Sequence, residues 1–353
     1  MAMRSVVGVS VAVVFSVGAV LGAAAPSVAA AEPVPNGRAI SLSKTVGDVM
    51  GGEHITIRGW NLRDTTQVCF GQGCVPVTSA TFWKVEVTAP PHYGYQGGQA
   101  QAVVPDYQEG DVAVTLKQGD KKTANCRRSY RYKALTATGR EMSYLLAHWE
   151  KYDSARYGNF DPVGGDCMNF VSAGLAEWFG RNSHRPDWYN AFADWVAKHP
   201  TANPYNDPYG KIDPANRWVT PSWAYVPDFS TWLNDQKDSF GITRTDLSND
   251  PATWSDIKVG DIVTMTWNND GGNGSTEGGP GLDPGRIPAA TTAQASNDLG
   301  EDHAMVVTRI VTVDGHLDVQ LAGHSNDRNY LSFSAIYSGT PNMTGSIWHL
   351  PTA

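Results

Sequence analysis

Cys167 is the residue of this sequence best suited to nucleophilic chemistry. It follows Gly164, Gly165 and Asp166, and apolar residues recur after it at helical spacing as far as Trp178. This pattern predicts a helix that begins at Cys167, with Asp166 as its N-cap. A helix N-terminus carries a partial positive charge and unpaired N–H groups. We therefore expect a lowered thiol pKa and backbone donors that could hold an oxyanion.

The other three cysteines offer a structural alternative for Cys167. Cys69, Cys74 and Cys126 all lie in the N-terminal part of the chain. Cys69 and Cys74 could close a tight hairpin, and a bridge from Cys126 to Cys167 would then make Cys167 structural. The pairing among the first three stays open from sequence. An unpaired thiol oxidises easily outside the cell, so we favour a chemical role for Cys167.

A thiol nucleophile needs a base, and His303 is the best candidate among the nine histidines. It opens a strongly apolar run that ends at Val313, directly after a long Gly-rich and polar segment. The pair Asp314-Gly315 is a two-residue hairpin signal. The sequence therefore predicts that His303 stands at the edge of a β-hairpin, where the N-terminus of a helix can meet it.

The hairpin also limits the choice of a third residue that would orient the base. Pairing across the turn places Asn326 opposite His303, and His324 opposite Met305 on the same side of the sheet. His324 and Asn326 are both candidates, and a β-bulge would shift the choice.

The elements that must position these residues fall into two regions. Residues 39–133 read as short strands separated by Gly, Pro and Asp clusters, which predicts a small β-sandwich. Helical spacing begins after Thr136, with one helix from about Thr138 to Tyr157 and a second from Cys167, before strands return at 262–267. We predict a β-domain at 39–133 and an α+β domain at 136–353.

The N-terminus predicts export. Arg4 precedes an apolar run, and Val28-Ala29-Ala30 fits a small-residue cleavage site, so residues 1–30 read as a signal peptide and 31–38 as a linker. We expect a secreted, extracellular monomer, free of the membrane after cleavage and in reach of the cell wall. The net charge of −8 argues against a nucleic-acid partner.

The sequence contains residues that could form metal or sugar sites, but most of them also suit ordinary structural roles. Cys167, His303, His316 and His324 could bind zinc, and acids of the Gly-rich segment could bind calcium, but neither set has a metal-binding spacing. We expect no metal and no cofactor. Six tryptophans could stack on sugars, although core packing is favoured for each of them: Trp188, Trp195, Trp218, Trp223, Trp232 and Trp254.

The string GGDCMNFVS at 164–172 resembles the putative amidase domain family, within the NlpC/P60- and CHAP-like cysteine hydrolases. KVGDIV at 258–263, DHAMVV at 302–307 and AGHSNDRN at 322–329 follow in the same order as in that family. The resemblance implies a permuted papain-like (NlpC/P60-type) catalytic domain. Met168 and Ala173 stand where the family usually has Thr and Gln, which bears on substrate preference.

The same resemblance implies roles for particular residues. Cys167 would be the nucleophile, His303 the base and His324 the residue that orients it, with Asn326 as the other candidate. Asp166 and Asn169 would flank the nucleophile and bind substrate.

The β-domain resembles an IPT/TIG domain. The residues that carry this resemblance are MGGEHITIRGWNL at 50–62, VCFG at 68–71 and VTAPP at 87–91. It implies an all-β, immunoglobulin-like sandwich ahead of the catalytic domain.

Together the two resemblances imply a secreted cysteine amidase or peptidase acting on amide bonds, with cell-wall peptidoglycan as the expected substrate. The bond could be a muramoyl amide or a stem-peptide bond, and acyl transfer could replace hydrolysis. The alternative function is a non-catalytic cell-surface module that binds glycan or protein.

Overall fold

A computed structural model describes residues 38–95, 103–119, 121–163, 165–180, 185–266, 301–313, 315–324, 328–339 and 343–352. Several predictions fall outside these residues: the signal peptide, nearly all of the linker, the Gly-rich segment before His303, and Asn326. Among the described residues, the helices are too short or too polar to span a membrane.

The β-domain contains two sheets. One has the strand order β1-β3-β7-β6, the other the order β2-β11-β10-β4-β5, and β8 pairs with β9. The strands are β1 (Arg38–Leu42), β2 (Val46–Asp48), β3 (His54–Trp60), β4 (Gln67–Phe70), β5 (Gly73–Pro76), β6 (Ser79–Ala80), β7 (Lys84–Thr88), β8 (Tyr93–Tyr95), β9 (Val103–Pro105), β10 (Gly110–Gln118) and β11 (Lys121–Lys133).

Alternating apolar residues explain why these strands form two sheets around one core. In β3, Ile55 and Ile57 are buried while their neighbours along the strand are more exposed. On the other sheet Val114 and Leu116 are buried with the same period of two. Cys69 and Cys74 form a disulfide between β4 and β5, so the predicted hairpin bridge is present.

The second region begins with helices. They are α1 (Ala137–His148), α2 (Ser154–Tyr157), α3 (Cys167–Trp178), α4 (Phe192–Lys198), α5 (Pro221–Ala224) and α6 (Val226–Phe240). The Thr136 side chain caps α1 by accepting from the N–H of Gly139. The single helix predicted up to Tyr157 is instead interrupted after His148. Helix α3 begins at Cys167, as the apolar spacing predicted.

A six-stranded antiparallel sheet follows, in the order β12-β17-β13-β14-β15-β16. Its strands are β12 (Thr243–Asp246), β13 (Ile262–Thr266), β14 (His303–Val313), β15 (His316–Gly323), β16 (Arg328–Ser332) and β17 (Thr344–His349), with α7 (Phe333–Gly339) after β16. The strand predicted from His303 to Val313 has those bounds. Strands β12, β16 and β17 and helix α7 were not predicted.

The two faces of this sheet have different coverings. Ile262, Ala304 and Val306 point into the core that contains α3. Met305 and Val307 point into a second core on the opposite face, which contains residues of α7. The N-terminus of α3 therefore meets the sheet on the face of the even-numbered residues of β14.

The β-domain and the helical region pack together within one compact unit. The carboxylate of Asp48 accepts hydrogen bonds from the backbone N–H groups of Leu135 and Thr136, at 2.8 and 2.7 Å. An acidic side chain at the start of α1 suits the partial positive charge of a helix N-terminus. The β-domain thus helps to fix where the first helix begins.

Candidate active site

Cys167 lies against the first residues of β14. The backbone N–H groups of Met168 and Ala304 hydrogen-bond to its sulfur, and Ala304 directly follows His303. Among the described residues Cys167 is a free, buried cysteine, which excludes the bridge to Cys126. The structure therefore brings Cys167 beside the peptide that joins His303 to Ala304, and His303 is half-buried there.

The pKa of Cys167 is shifted opposite to the direction expected from its helix position. Burial raises the pKa of the thiol to about 12, and the carboxylates of Asp166 and Asp302 raise it further. The N–H groups of Ala304 and Met168 act the other way but are outweighed. The expected lowering is therefore corrected: loss of solvation outweighs the helix terminus, and the resting thiol is protonated at neutral pH.

His324 is fully buried and makes two hydrogen bonds through its ring. Nδ1 lies 2.6 Å from Oδ2 of Asp166, and Nε2 lies 2.9 Å from the carbonyl oxygen of His148. Tyr152 and Phe170 pack against the ring. Both ring nitrogens of His324 therefore face oxygen atoms of the protein, one from the Asp166 side chain and one from the backbone.

A one-residue bulge corrects the predicted relation between His303 and His324. Arg309 pairs with Gln320, as the simple hairpin requires, but Val307 pairs with Leu321, so Thr308 is an extra residue in β14. Continuing this register places His324 opposite Ala304 instead of Met305. Side chains alternate along a strand, so His324 lies on the α3 face, in agreement with its contacts to Asp166 and Phe170.

Asp166 and Asn169 belong to a buried hydrogen-bond network and also line a small pocket beside His324. Oδ1 of Asp166 accepts from the backbone N–H of Phe160 and from Nδ2 of Asn169, both at 2.9 Å. Oδ1 of Asn169 accepts from the indole N–H of Trp223 at 2.8 Å. Both side chains are almost completely buried. Their polar atoms are bonded inside the protein, and their contact with substrate stays a prediction.

The N-cap position also differs in detail from the expectation. Asp166 precedes α3, but its side chain makes no capping hydrogen bond to the helix backbone. It turns instead to His324, which lies 158 residues further along the chain. A partner at that distance in sequence leaves no local signal at Asp166.

Sequence reasoning missed Glu301, which fixes the backbone two residues before His303. The Glu301 carboxylate is buried and accepts hydrogen bonds from the hydroxyls of Ser230 and Ser346. Arg244 in turn donates to Ser346 at 2.9 Å. An acid at the end of a polar segment gives no hint of burial, so the sequence carried no usable signal for this role.

Comparison with protein families finds two matches. Residues 131–348 match the family described as putative amidase domain. The chain belongs to this family. Residues 39–130 match the IPT/TIG domain, which fits the observed N-terminal β-sheet domain. No curated protein was found to match the chain.

The amidase family suggests a hydrolase that acts on amide bonds. The matched range contains Cys167, His303 and His324, together with Asp166 and Asn169. Within the described part of this amidase domain, no group of three or more His, Cys, Asp or Glu side chains is arranged to hold a metal ion. The site presents a thiol and backbone N–H groups beside the strand that carries His303.

Proposed function

We propose that this protein is a secreted cysteine-dependent amidase or peptidase that hydrolyses amide bonds of cell-wall peptidoglycan. The observation that carries the proposal is the placement of the Cys167 sulfur at the start of α3, against the backbone that follows His303. The order of elements, with the cysteine helix before the antiparallel strands of the histidine, supports a permuted papain-like catalytic domain. Export rests on the predicted signal peptide at 1–30.

In the proposed reaction the Cys167 sulfur attacks the amide carbonyl while His303 accepts the thiol proton. The oxyanion that forms is held by backbone N–H groups at the start of α3. His303 then gives the proton to the leaving amine, which leaves an acyl group on sulfur. Water, deprotonated by His303, releases the acid and restores the thiol.

The raised pKa of Cys167 favours this version of the mechanism over a preformed thiolate. A thiol with a pKa of about 12 is protonated in the resting protein at neutral pH, so a base must remove the proton as the bond forms. We assign this role to His303 because the backbone that follows it borders the thiol. Asp166 and His324 hold the N-terminus of α3 and do not act on substrate themselves.

Digestion of purified peptidoglycan, followed by mass spectrometry of the products, tests the proposal. We expect new amide cleavage with the mature protein and none with Cys167→Ser or His303→Ala. His316→Ala is the matched control, because His316 is exposed at the hairpin turn of the same strand pair. Lactyl-amide products would identify a muramoyl amidase and stem-peptide products an endopeptidase. Full activity of Cys167→Ser would overturn the proposed nucleophile.

A second candidate function is non-catalytic binding of glycan through the β-domain. Trp60 and Trp83 are 53% and 56% exposed, and their rings meet edge to face at 4.5 Å beside Phe82. Arg58 of β3 lies opposite Lys84 of the neighbouring strand β7. Exposed indole rings stack on the faces of sugars, and the flanking cations can bond to hydroxyl or carboxylate groups. The six tryptophans that the sequence offered as possible sugar-stacking residues are all buried.

Sedimentation with insoluble peptidoglycan separates the two functions. If the β-domain binds glycan, Trp60→Ala and Trp83→Ala weaken binding while cleavage of soluble fragments continues. Ile212→Ala is the control, because Ile212 is an exposed apolar residue elsewhere on the chain. Binding with no cleavage by any preparation would favour the module over the enzyme.

A further inference from the structure

Tyr107 of the TIG domain contacts the strand that carries His303. Its side chain is buried, and its hydroxyl donates a hydrogen bond to the carbonyl oxygen of Thr308 at 2.9 Å. Its backbone φ is 50°, in the left-handed region that residues other than glycine seldom adopt. A bulky residue stays in that conformation only where its surroundings hold it firmly.

The acceptor of this bond is the extra residue of the bulge in β14. Thr308 lies between Val307, which pairs with Leu321, and Arg309, which pairs with Gln320. A bulge leaves the extra residue outside the regular ladder. The Tyr107 hydroxyl supplies a donor to a carbonyl in that position. Without it, a buried carbonyl would lose a partner and the bulged register would be less favourable.

The register of β14 and β15 decides where His324 points. In the bulged register His324 reaches the α3 face and bonds to Asp166 at 2.6 Å. Without the bulge the inner part of β15 would slip by one residue, and His324 would turn to the face of Met305. Asp166 immediately precedes Cys167, so the contact made by His324 fixes the start of α3.

We infer that Tyr107 is a positioning residue of the amidase site, and that the TIG domain thereby forms a working part of the catalytic unit. It acts through the bulge at Thr308, which sets the register of His324, and through Asp166, which holds the N-terminus of α3. The inference rests on the proposed function in one respect, since it takes Cys167 as the group that is positioned.

The effect of the Tyr107 hydrogen bond on the site can be distinguished from its contribution to holding the two domains together. Tyr330 of the amidase domain donates to the carbonyl oxygen of Pro105 in the TIG domain, and Gln108 donates to the carbonyl oxygen of Ser143 at 3.0 Å. Asp48 binds the start of α1 as described above. Tyr330 therefore makes a comparable tyrosine bond between the domains, but its acceptor is not the bulge.

The test compares Tyr107→Phe with Tyr330→Phe in the full mature chain. Each change removes one hydroxyl that bonds across the same interface. Labelled histidine is observed by NMR, and the Nδ1–H signal of His324 is assigned by its loss in His324→Gln. We expect Tyr107→Phe to shift or broaden this signal and to lower kcat about tenfold, with KM within about twofold. Tyr330→Phe should leave the His324 signal unchanged, and should keep kcat and KM within about twofold of the values of the unaltered protein.

Two results would overturn the inference. One is an unchanged His324 signal and kcat in Tyr107→Phe. The other is an equal change in both variants, which would mean that the hydroxyls only hold the domains together. Absence of amide cleavage by the unaltered protein would instead count against the proposed function, while the NMR comparison would still decide the positioning role. Both variants keep the aromatic ring, and the signals are recorded below their unfolding temperatures.

Discussion

Two buried histidine–aspartate pairs among the described residues of 136–353 differ in one partner. His324 bonds to Asp166 at 2.6 Å, and His349 bonds to Asp261 at 2.7 Å, each through Nδ1. Nε2 of His324 faces a backbone carbonyl, whereas Nε2 of His349 lies 2.9 Å from the hydroxyl of Thr245. A carbonyl can only accept a hydrogen bond, but a hydroxyl can donate or accept.

The difference teaches that the second partner determines which hydrogen bonds each ring can make. Nε2 of His324 faces a group that only accepts, whereas Nε2 of His349 faces a hydroxyl that can donate or accept. The first pair adjoins Cys167. The second lies near Glu141, whose two carboxyl oxygens are buried with no hydrogen-bond partner among the described residues. We therefore expect the first pair to control activity and the second to control stability.

The largest expected effect comes from breaking each pair at its carboxylate. Asp166→Asn and Asp261→Asn should each lower the free energy of unfolding by about 3–5 kcal/mol, because a buried ion-pair partner is removed. Only Asp166→Asn should also lower kcat, by roughly 100-fold, since displacement of a nucleophile by about 1 Å has that effect. Urea denaturation and peptidoglycan cleavage at a temperature where both variants are folded measure the two quantities.

An equal loss of activity per folded molecule in both variants would contradict this division of roles. So would an Asp166→Asn protein that keeps full activity, because the carboxylate would then have no part in holding the start of α3.

The next largest effect is a pH dependence of stability that is expected beside the second pair, at Glu141. Burial raises the pKa of Glu141 well above its usual value, and the Asp261 carboxylate adds to the shift. The protonated form is therefore favoured in the folded protein more than in the unfolded chain. Its stabilising contribution is full below the unfolded pKa of about 4.5 and is lost, at about 1.4 kcal/mol per pH unit, as pH rises from there through the raised folded pKa. Glu141→Gln should remove this slope.

Stability curves of the unaltered protein and Glu141→Gln, measured by urea denaturation from pH 5 to 8, check the sign. The two curves should converge toward acid pH and separate toward alkaline pH. Parallel curves would mean that Glu141 is ionised in the folded protein.

Much of this site could be predicted from sequence because its signals are local. Apolar spacing located the start of α3 at Cys167, and a continuous apolar run located β14 from His303. The bulge at Thr308 was out of reach, because Tyr107 bonds to it from 201 residues away. The same holds for the pairing of Asp166 with His324. The thiol pKa was predicted in the wrong direction because the extent of burial depends on tertiary packing.

A smaller effect concerns the reactivity of Cys167. With a pKa of about 12, the rate of alkylation by iodoacetamide in the folded protein should rise about tenfold per pH unit from pH 8 to 10, without levelling off. Asp166→Asn should react several-fold faster at each pH, because the carboxylate of Asp166 raises the thiol pKa. Asp261→Asn should match the unaltered protein. A plateau near pH 9 would indicate an ordinary, solvated thiol.

The smallest effect sharpens the comparison at the second nitrogen of His349. Thr245→Val removes the hydroxyl but keeps the branched shape that suits β12. Nε2 of His349 then loses its partner, and we expect the free energy of unfolding to fall by about 1 kcal/mol, with kcat unchanged. Thermal unfolding and peptidoglycan cleavage measure both. Thr243→Val is the control, because Thr243 is an exposed threonine of the same strand. A loss of activity specific to Thr245→Val would show that the second pair also supports catalysis, and the division of roles between the two pairs would have to be withdrawn.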